Sequence, residues 1–417
     1  MGFDAEKIKT TKQNIKKKNG GILYKLNSNT NKKQIVSEEN VRFKQRIFFN
    51  NQYTSCYFKN CYFEKGFEFT IPPGSPTGKV TNIFDFDIHL EDCKIDNAFN
   101  LKDCTFKKKF RIHDCEILEE TLDQEDQYQD EKIKCNFENT KFNDLADFWR
   151  STFHQRTIFY KTDFNSTVVF SFAKFKENVL FTYSLFGGKS ILAKTEFNKG
   201  LDLSQAVIKG DLQLFDLKFD FKQYTTKYIG KNHLNYQDAI DSKAIIPLEN
   251  KVHTFQILKK GYIDIGNYSD SILMQREEKR ALRELTQERY NDKNTHNVNF
   301  GDRIILWLNR WSSHYQSDFR NGILFTLIVA IVFGFLTLVF TESFWLHLPS
   351  SEKSEWDIGA INNGVKLMVN FLNPVHKITY IHDLKPFLGI PYIFDFFGRI
   401  AVGYGIYQTV QAFRKFK

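Results

Sequence analysis

Two charged residues near the C-terminus could carry chemistry in this chain. Asp395 and Arg399 stand four apart inside a long apolar segment, so on a helix they share one face and can form an ion pair. Ionisable side chains in an apolar span are costly, and they usually face the interior of a helix bundle or water. Two hypotheses follow: a structural role, as a mutual ion pair or with Arg399 reaching the lipid headgroups, or a pore-lining or gating role.

A second group of residues lies just beyond this pair. The segment Ala401–Gly405 reads AVGYG and is similar to the selectivity filter of potassium channels, which is built from rings of backbone carbonyls. That filter requires a full inner helix after it, whereas only twelve residues follow Gly405, and Ile406 replaces the usual acidic residue. Gly403 and Gly405 are therefore predicted to allow close helix packing or a bend in a helix.

Motifs for catalysis and cofactor binding are absent from the sequence. There is no Gly-rich phosphate loop, no His-Glu-x-x-His zinc motif and no G-x-S-x-G elbow. The six cysteines have spacings such as 5 and 11, unlike the Cys-x-x-Cys pairs of zinc sites. His376 and His382 are interpreted as ordinary loop residues. We therefore expect no enzymatic activity, no cofactor and no bound metal.

The elements that would position Asp395 and Arg399 are membrane spans. An uncharged run of nineteen residues, Gly322–Phe340, predicts one transmembrane helix. Arginines precede this run and acidic residues follow it, which predicts that the preceding part of the chain is cytoplasmic. The aromatic-rich segment Ile304–Trp311 is predicted to lie along the membrane surface. A second span is predicted at about residues 392–413, and the basic residues after it place both termini in the cytoplasm.

A short apolar segment lies between the two predicted spans. Gly364–Leu372 is too short to cross a bilayer and is followed by Asn373-Pro374, so it is predicted to be a re-entrant or interfacial helix. Two spans that bracket a half-helix resemble the pore module of simple cation channels. This resemblance implies an oligomeric membrane domain, although no residue demonstrates a conduction pathway.

An eleven-residue period of phenylalanines organises the first half of the chain. The residues predicted to form the core are Phe106, Phe153, Phe164, Phe175, Phe186 and Phe197. An eleven-residue repeat also occurs in right-handed coiled coils. Here the repeat is rich in aromatic and β-branched residues, and its apolar positions are two apart, which favours short strands. The pattern predicts a β-solenoid, in which each unit buries its apolar face against its neighbours.

Five-residue steps within this region resemble a known family. Cys56–Asn60 and Cys61–Lys65 have the form small-x-Phe-x-x and look like pentapeptide repeats. All six cysteines occupy the small position, which suits buried, reduced thiols. The resemblance covers roughly residues 41–220, with insertions at Ile71–Asn82 and Leu118–Lys134. It implies a right-handed, quadrilateral parallel β-helix with about four repeats per coil.

The expected order of domains follows from these segments. A basic, flexible arm (1–40) precedes the β-helix (41–220), a helical cap and linker (221–300) and a membrane domain (301–417) with spans at about 322–340 and 392–413. We expect a multi-pass, homo-oligomeric protein of a bacterial cytoplasmic membrane, whose cytoplasmic β-helix binds an unidentified protein.

Two functions stay open at this point. The β-helix could be a recognition and assembly scaffold for an oligomeric membrane domain, with ion conduction as one hypothesis for that domain. Alternatively, the chain could be a membrane-tethered interaction scaffold without transport. Nucleic acid is not expected as a partner, and the DNA mimicry of some soluble family members is disfavoured because the predicted solenoid carries many lysines.

Overall fold

A computed structural model describes residues 15–18, 21–24, 34–44, 47–48, 53–68, 82–97, 99–118, 135–224, 226–230, 245–292, 300–342, 344, 365 and 368–413. The chain forms two compact units, which divide after Gly266. Among the described residues, the first unit, Met1–Gly266, contains the strands and one helix. The second unit, Asn267–Lys417, contains the remaining helices.

Short strands of the first unit form four long sheets, one for each face of a solenoid, and a small fifth sheet. In the first sheet, the described strands are Ile15–Lys18, Gly21–Tyr24, Ile47–Phe48, Phe67–Glu68, Phe99–Asn100, Cys135–Asn136, Thr157–Ile158, Val179–Leu180 and Leu201–Asp202. In the second, they are Gln34–Glu39, Tyr53–Lys59, Asp87–Glu91, Phe110–His113, Ala146–Asp147, Val168–Val169, Ser190–Ala193 and Leu212–Phe215. In the third, they are Arg42–Phe43, Tyr62–Phe63, Lys94–Ile95, Glu116–Ile117, Thr152–Phe153, Lys174–Phe175, Glu196–Phe197 and Lys218–Phe219. In the fourth, they are Asn82–Phe84, Cys104–Phe106, Lys141–Phe142, Asp163–Phe164, Leu185–Phe186 and Val207–Ile208. The fifth sheet pairs Thr226–Lys227 with Ile246–Pro247. The first strands thus lie within residues 1–40, the segment expected to be a flexible arm.

The first two described strands, Ile15–Lys18 and Gly21–Tyr24, pair antiparallel, whereas the coils after them stack in parallel, and from Tyr53 onward they keep one register. Phe142 pairs with Phe164 on the next coil, a separation of two eleven-residue units, and their rings stack with centroids 5.4 Å apart. On another face, Phe153 stacks on Phe175 at 4.8 Å. The six phenylalanines predicted for the core are at most 2% exposed. The prediction of a parallel β-solenoid is confirmed.

The two insertions leave this register unchanged. Tyr62–Phe63 pairs with Lys94–Ile95 on the other side of the first insertion, and Glu116–Ile117 pairs with Thr152–Phe153 across the second. Residues 69–81 and 119–134, which include most of both insertions, lie outside the described residues. The described strands on the two sides of each insertion therefore keep the register of the coils.

The coils turn at residues with a left-handed backbone. From position 139 onward, such a residue recurs every eleven positions with φ between 51° and 61°: Asn139, Arg150, Lys161, Phe172, Tyr183, Lys194, Gln205 and Asp216. This conformation costs roughly 1–2 kcal/mol for most L-residues, and Asn and Asp tolerate it best. Backbone hydrogen bonds to the next coil hold these corners, as from Arg150 N to Ser171 O at 3.0 Å.

One end of the solenoid is covered by helix α1, Leu248–Asp264. The Thr254 hydroxyl accepts a hydrogen bond from Leu203 N at 2.9 Å, and Asn250 Nδ2 donates to Asp202 Oδ2 at 2.7 Å. Gly261 lies close to the last coil, since a Cβ there would be 2.9 Å from the Leu214 side chain. The helix therefore covers apolar edges that a terminal coil would otherwise expose.

Among its described residues, the second unit contains the helices α2 (Tyr268–Asn291), α3 (Phe300–Ser313), α4 (Phe319–Val339), α5 (Thr379–Asp383) and α6 (Ile390–Phe413). A further helical segment covers residues 368–371. The start of α4 is fixed by Asp318, whose side chain accepts a hydrogen bond from Arg320 N at 2.9 Å. Such a cap satisfies one of the free amide groups of the first turn.

Of the described helices, α4 is long and apolar enough to cross a membrane by length and composition. Its bounds overlap the first predicted span. Helix α6 has 24 residues and covers the second predicted span, but it contains Asp395 and Arg399 and does not meet the same criterion. The structure therefore supports one membrane-span candidate, not two.

Candidate functional site in the helical unit

Helices α4 and α6 pack against each other in opposite directions. Phe319 stacks on Phe413 at one end, and Phe340 stacks on Phe394 at the other, with ring centroids 5.0 and 5.5 Å apart. The buried residues are mostly small or polar and recur every three or four positions: Gly322, Phe325, Thr326, Val329, Ala330, Gly334 and Thr337 on α4, and Pro391, Asp395, Gly398, Val402, Gly405, Gln408 and Ala412 on α6. Small residues at such a contact let two backbones approach closely.

The two predicted glycines of α6 have different surroundings. A Cβ on Gly405 would overlap Thr326 Oγ1 and would lie 3.1 Å from the Phe325 ring. A Cβ on Gly403 would meet nothing within 4 Å. Close packing against α4 therefore needs a glycine at position 405, whereas position 403 has room for a side chain.

The outward faces of the same two helices carry large apolar side chains. These side chains are each at least 37% exposed: Ile323, Leu324, Leu327, Ile328, Ile331, Val332 and Phe335 on α4, and Ile393, Phe396, Phe397, Ile400, Ile406, Val410 and Phe413 on α6. A continuous exposed apolar surface of this kind marks contact with a membrane or with another protein.

Asp395 is the centre of a buried polar network. Arg399 Nε donates to its Oδ2 at 2.8 Å, and the Tyr380 hydroxyl donates to its Oδ1 at 2.6 Å. His376 Nε2 lies 2.8 Å from the same Oδ1. Asp395 is 2% exposed, so three neighbouring side chains replace its hydration. The sequence indicated the Arg399 contact by its spacing, but it gave no signal for His376 or Tyr380.

The hydrogen bonds of this network extend beyond Asp395. His376 Nδ1 lies 2.6 Å from Asn373 O while Nε2 lies 2.8 Å from Asp395 Oδ1, so each ring nitrogen faces an oxygen atom. Burial and the hydrogen bond to Asp395 raise the pKa of Tyr380, which keeps its hydroxyl a donor. Arg399 Nη2 has no hydrogen-bond partner among the described residues. The network thus groups the Asp395 carboxyl group with a guanidinium, an imidazole and a phenol hydroxyl.

A second polar network ties α3 to α6. Asn309 Oδ1 accepts hydrogen bonds from the Tyr404 hydroxyl at 2.7 Å and from Gln408 Nε2 at 3.1 Å. The Ser313 hydroxyl donates to Gln408 Oε1 at 2.9 Å. These hydrogen bonds join residues that are nearly one hundred positions apart in the chain.

A left-handed turn connects α3 with α4. His314, Tyr315 and Gln316 have φ values of 49°, 60° and 68° in succession. Tyr315 N donates to Asn309 O at 3.0 Å, and Gln316 N donates to the Ser313 hydroxyl at 2.9 Å. Three consecutive non-glycine residues in this region are unfavourable unless surrounding contacts hold them. The turn therefore fixes the direction in which the chain enters α4.

The segment predicted to be re-entrant or interfacial contacts the helix pair. Phe371 is fully buried in one cluster with Val329, Ala330 and Val402. It fills a notch at Gly398, where a Cβ would lie 2.6 Å from its ring. An aromatic side chain of the intervening segment is thus seated against residues from the middle of α4 and α6.

The side chains that commonly bind metals do not form a metal site in the part of the chain that is described. All six cysteines are buried and none of them forms a disulfide, and burial raises the pKa of the Cys93 thiol, which disfavours the thiolate. No cluster of three or more His, Cys, Asp or Glu side chains there is placed to hold a metal ion.

Comparisons of the chain with protein-family models, with curated proteins and with solved structures found no match. The resemblance to pentapeptide repeats therefore rests on the repeat residues and on the stacked parallel coils, which are consistent with that fold.

Proposed function

We propose that this protein is a membrane-anchored scaffold, in which α4 and α6 form a transmembrane hairpin and the solenoid presents a rigid surface to protein partners. The observation that carries the proposal is the side-chain distribution of the helix pair. Small and polar residues lie between the helices, and large apolar residues face outward. Water would not favour this arrangement, whereas lipid chains solvate an apolar exterior.

The lengths of both helices fit a bilayer. At about 1.5 Å per residue, the 21 residues of α4 and the 24 residues of α6 extend roughly 31 and 36 Å, against a hydrocarbon core of about 30 Å. Asp395 and Arg399 are the charges that make α6 less apolar than α4. Their cost is reduced because they bond to each other and to His376 and Tyr380.

The orientation follows from the charges that flank α4. Arg303, Arg310 and Arg320 precede its apolar stretch, and Glu342 follows it. Positively charged residues favour the cytoplasmic side, so the start of α4 and the solenoid before it are assigned to the cytoplasm. The antiparallel packing of α6 returns the chain to the same side.

The outer surface of the solenoid suits a protein partner better than a polyanion. Side chains of opposite charge form ion pairs between neighbouring coils: Lys94–Glu116, Lys102–Glu138, Arg150–Asp114, Lys199–Glu177 and Lys218–Glu196. A ladder of aromatic rings also crosses one face, with Tyr57, His89, His113 and Trp149 in contact at 5.0–5.9 Å between centroids. Partly exposed aromatic side chains are frequent in protein interfaces.

A second candidate function is ion conduction by an oligomer of the hairpin. Two observations favour it: Phe371 of the intervening segment is seated against the middle of the helix pair, and Arg399 keeps one nitrogen without a hydrogen-bond partner among the described residues. In this case Arg399 and Asp395 would lie beside the pathway, and copies of the chain would meet at the outward faces of α4 and α6.

Reconstitution of the full-length protein tests both functions. An anchored scaffold floats with phosphatidylcholine liposomes and resists extraction at high pH, and Ile331→Lys on the outward face of α4 weakens that resistance. Release of the wild-type protein by high pH would refute the anchor. Ion flux is then measured in the same liposomes for the wild type and Arg399→Ala. Flux that the substitution alters supports conduction, and absence of flux in both favours the tether.

A further inference from the structure

The helical unit contains a cavity between α2 and α3, with a volume of about 280 Å³. Its lining consists of Arg283, Thr286 and Gln287 from α2 and Arg303, Ile304, Leu306 and Trp307 from α3. Two of these side chains are cations and two are neutral and polar, and none is acidic. The remaining three are apolar and come from α3. The lining therefore suits a ligand with an anionic group and an apolar part.

Contacts within the unit hold one of the two arginines in place. Arg303 Nη2 donates to Gln287 Oε1 at 3.3 Å, and its guanidinium lies 4.1 Å from the centroid of the Tyr290 ring. An arginine fixed by a neutral amide and an aromatic face keeps its full charge and further N–H donors for a ligand. Arg303 is therefore oriented without being neutralised by these two contacts.

An aromatic path leads from the cavity to the proposed span. Trp307 stacks on Trp311 with centroids 5.6 Å apart, and Trp311 contacts the Phe325 ring of α4 edge-on at 5.5 Å. Both tryptophans are more than half exposed. Tryptophan prefers the boundary between lipid headgroups and hydrocarbon, and this path joins the arginines to α4 at Phe325, a residue buried against α6.

We propose that this cavity binds the phosphate of an anionic phospholipid, with Arg283 and Arg303 contacting the phosphate and the acyl chains following Trp307 and Trp311 toward α4. The phosphate is a bidentate acceptor that matches the guanidinium geometry. The proposal rests on the membrane anchoring proposed above, because a bilayer is the source of the ligand. It adds a specific lipid site to an anchor that apolar contacts alone would provide.

The test uses the full-length protein in detergent and short-chain dihexanoyl lipids as probes. Binding of dihexanoyl-phosphatidylglycerol is compared with that of dihexanoyl-phosphatidylcholine and of inorganic phosphate by titration calorimetry. We expect the anionic lipid to bind at least about tenfold more tightly than either other probe, since charge-assisted hydrogen bonds and the apolar path act together. Equal affinity for phosphatidylcholine would overturn the proposal, and equal affinity for inorganic phosphate would overturn the lipid as its source.

Matched variants locate the site. Arg283→Gln combined with Arg303→Gln should weaken phosphatidylglycerol binding about tenfold or more, whereas Arg320→Gln removes the same charge outside the cavity and should change it less than about twofold. Gln287→Glu is nearly isosteric and can still accept from Arg303, so it keeps the fold while lowering the charge of the cavity lining from +2 to +1, and it should also weaken binding about tenfold. Unchanged binding in Gln287→Glu and in the double variant would refute the site.

Flotation with phosphatidylcholine liposomes separates this inference from the proposed function. Flotation that persists when phosphatidylglycerol binding is lost in the variants supports a distinct lipid site on an intact anchor. A wild-type protein that floats but shows no preference for phosphatidylglycerol contradicts the lipid site alone. A wild-type protein that does not float contradicts the anchor itself.

Discussion

The two units place their large apolar side chains in opposite ways. In the solenoid, aromatic rings such as Phe164 and Phe175 fill the interior, and charged side chains pair on the outside. In the helical unit, Gly405 and Thr326 lie at the contact between α4 and α6, and large side chains such as Phe396 face outward. With the helical unit in a bilayer, as proposed above, each unit buries the side chains that its surroundings solvate poorly. Water excludes aromatic rings, and lipid chains exclude polar groups.

The units also stabilise a buried aspartate differently. Asp202 in the solenoid accepts hydrogen bonds from neutral donors, among them Thr182 Oγ1 at 2.9 Å, Asn250 Nδ2 at 2.7 Å and Ser204 N at 2.8 Å. Asp395 in the helical unit instead contacts Arg399 and His376. Neutral donors leave the burial of a charge only partly compensated, whereas a guanidinium such as that of Arg399 compensates it directly.

The largest effect is expected from emptying the core of the solenoid. Phe164→Ala should destabilise the protein by about 3–5 kcal/mol because it removes a ring that stacks between Phe142 and Phe186. Urea unfolding followed by the far-ultraviolet signal of the strands measures this change. Phe172→Ala is the control, because Phe172 is 44% exposed, and it should cost less than about 1 kcal/mol. Similar losses for the two variants would contradict a core built from the repeated phenylalanines.

Removing the buried carboxyl group of Asp395 should destabilise the helical unit by a comparable or slightly smaller free energy. Asp395→Ala leaves Arg399 and His376 without their shared carboxylate, and breaking a buried ion pair costs about 3–5 kcal/mol. Thermal loss of helicity in mild detergent measures the change, with the exposed Glu342→Gln as control. If Asp395→Ala melts at the wild-type temperature, the network does not stabilise the helix pair.

The glycine contact provides a sharper test of the helix pair. Gly405→Leu should destabilise the hairpin by about 1–3 kcal/mol, since its side chain would collide with Thr326 and Phe325. Gly403→Leu, only two positions away, should be nearly neutral because a Cβ there meets nothing within 4 Å. The same melting experiment in detergent distinguishes the two. Equal behaviour of both variants would be inconsistent with the packing described.

The smallest expected effect concerns the pH dependence of the solenoid. Burial raises the pKa of Asp202, so the folded chain holds this proton more tightly than the unfolded chain does. The contribution of Asp202 is therefore most favourable below the unfolded pKa of about 3.9 and declines as pH rises through the folded pKa. Urea unfolding of wild type and Asp202→Asn from pH 4 upward should show this decline in the wild type and a flatter dependence in the variant. Parallel pH profiles of the wild type and Asp202→Asn would contradict a contribution of Asp202 to the pH dependence of stability.

The fold was predictable where one residue type repeats at a fixed period. The phenylalanine period predicted both the stacked coils and the residues of their core. The left-handed corners share the same period, but they were not predicted because their residue types range from Asn139 to Phe172. The register of the stacked coils determines the left-handed conformation of these corner residues, whereas their local sequence does not.

The candidate site was predictable only where its residues are neighbours on one helix. The spacing of Asp395 and Arg399 predicted their pairing, and the glycines of α6 indicated close packing. His376 reaches Asp395 through a connecting segment, and Asn309 reaches Gln408 from a different helix. Contacts of this kind depend on tertiary packing, for which the sequence contains no periodic signal.

The transmembrane hairpin is the central claim, and cysteine accessibility tests it most directly. The six native cysteines are buried, so single cysteines introduced as Ser317→Cys before α4 and Asp383→Cys before α6 can be labelled selectively. In right-side-out membrane vesicles, a membrane-impermeant maleimide should label Asp383→Cys at once and Ser317→Cys only after lysis. Labelling of both positions from the same side of intact vesicles would contradict the hairpin.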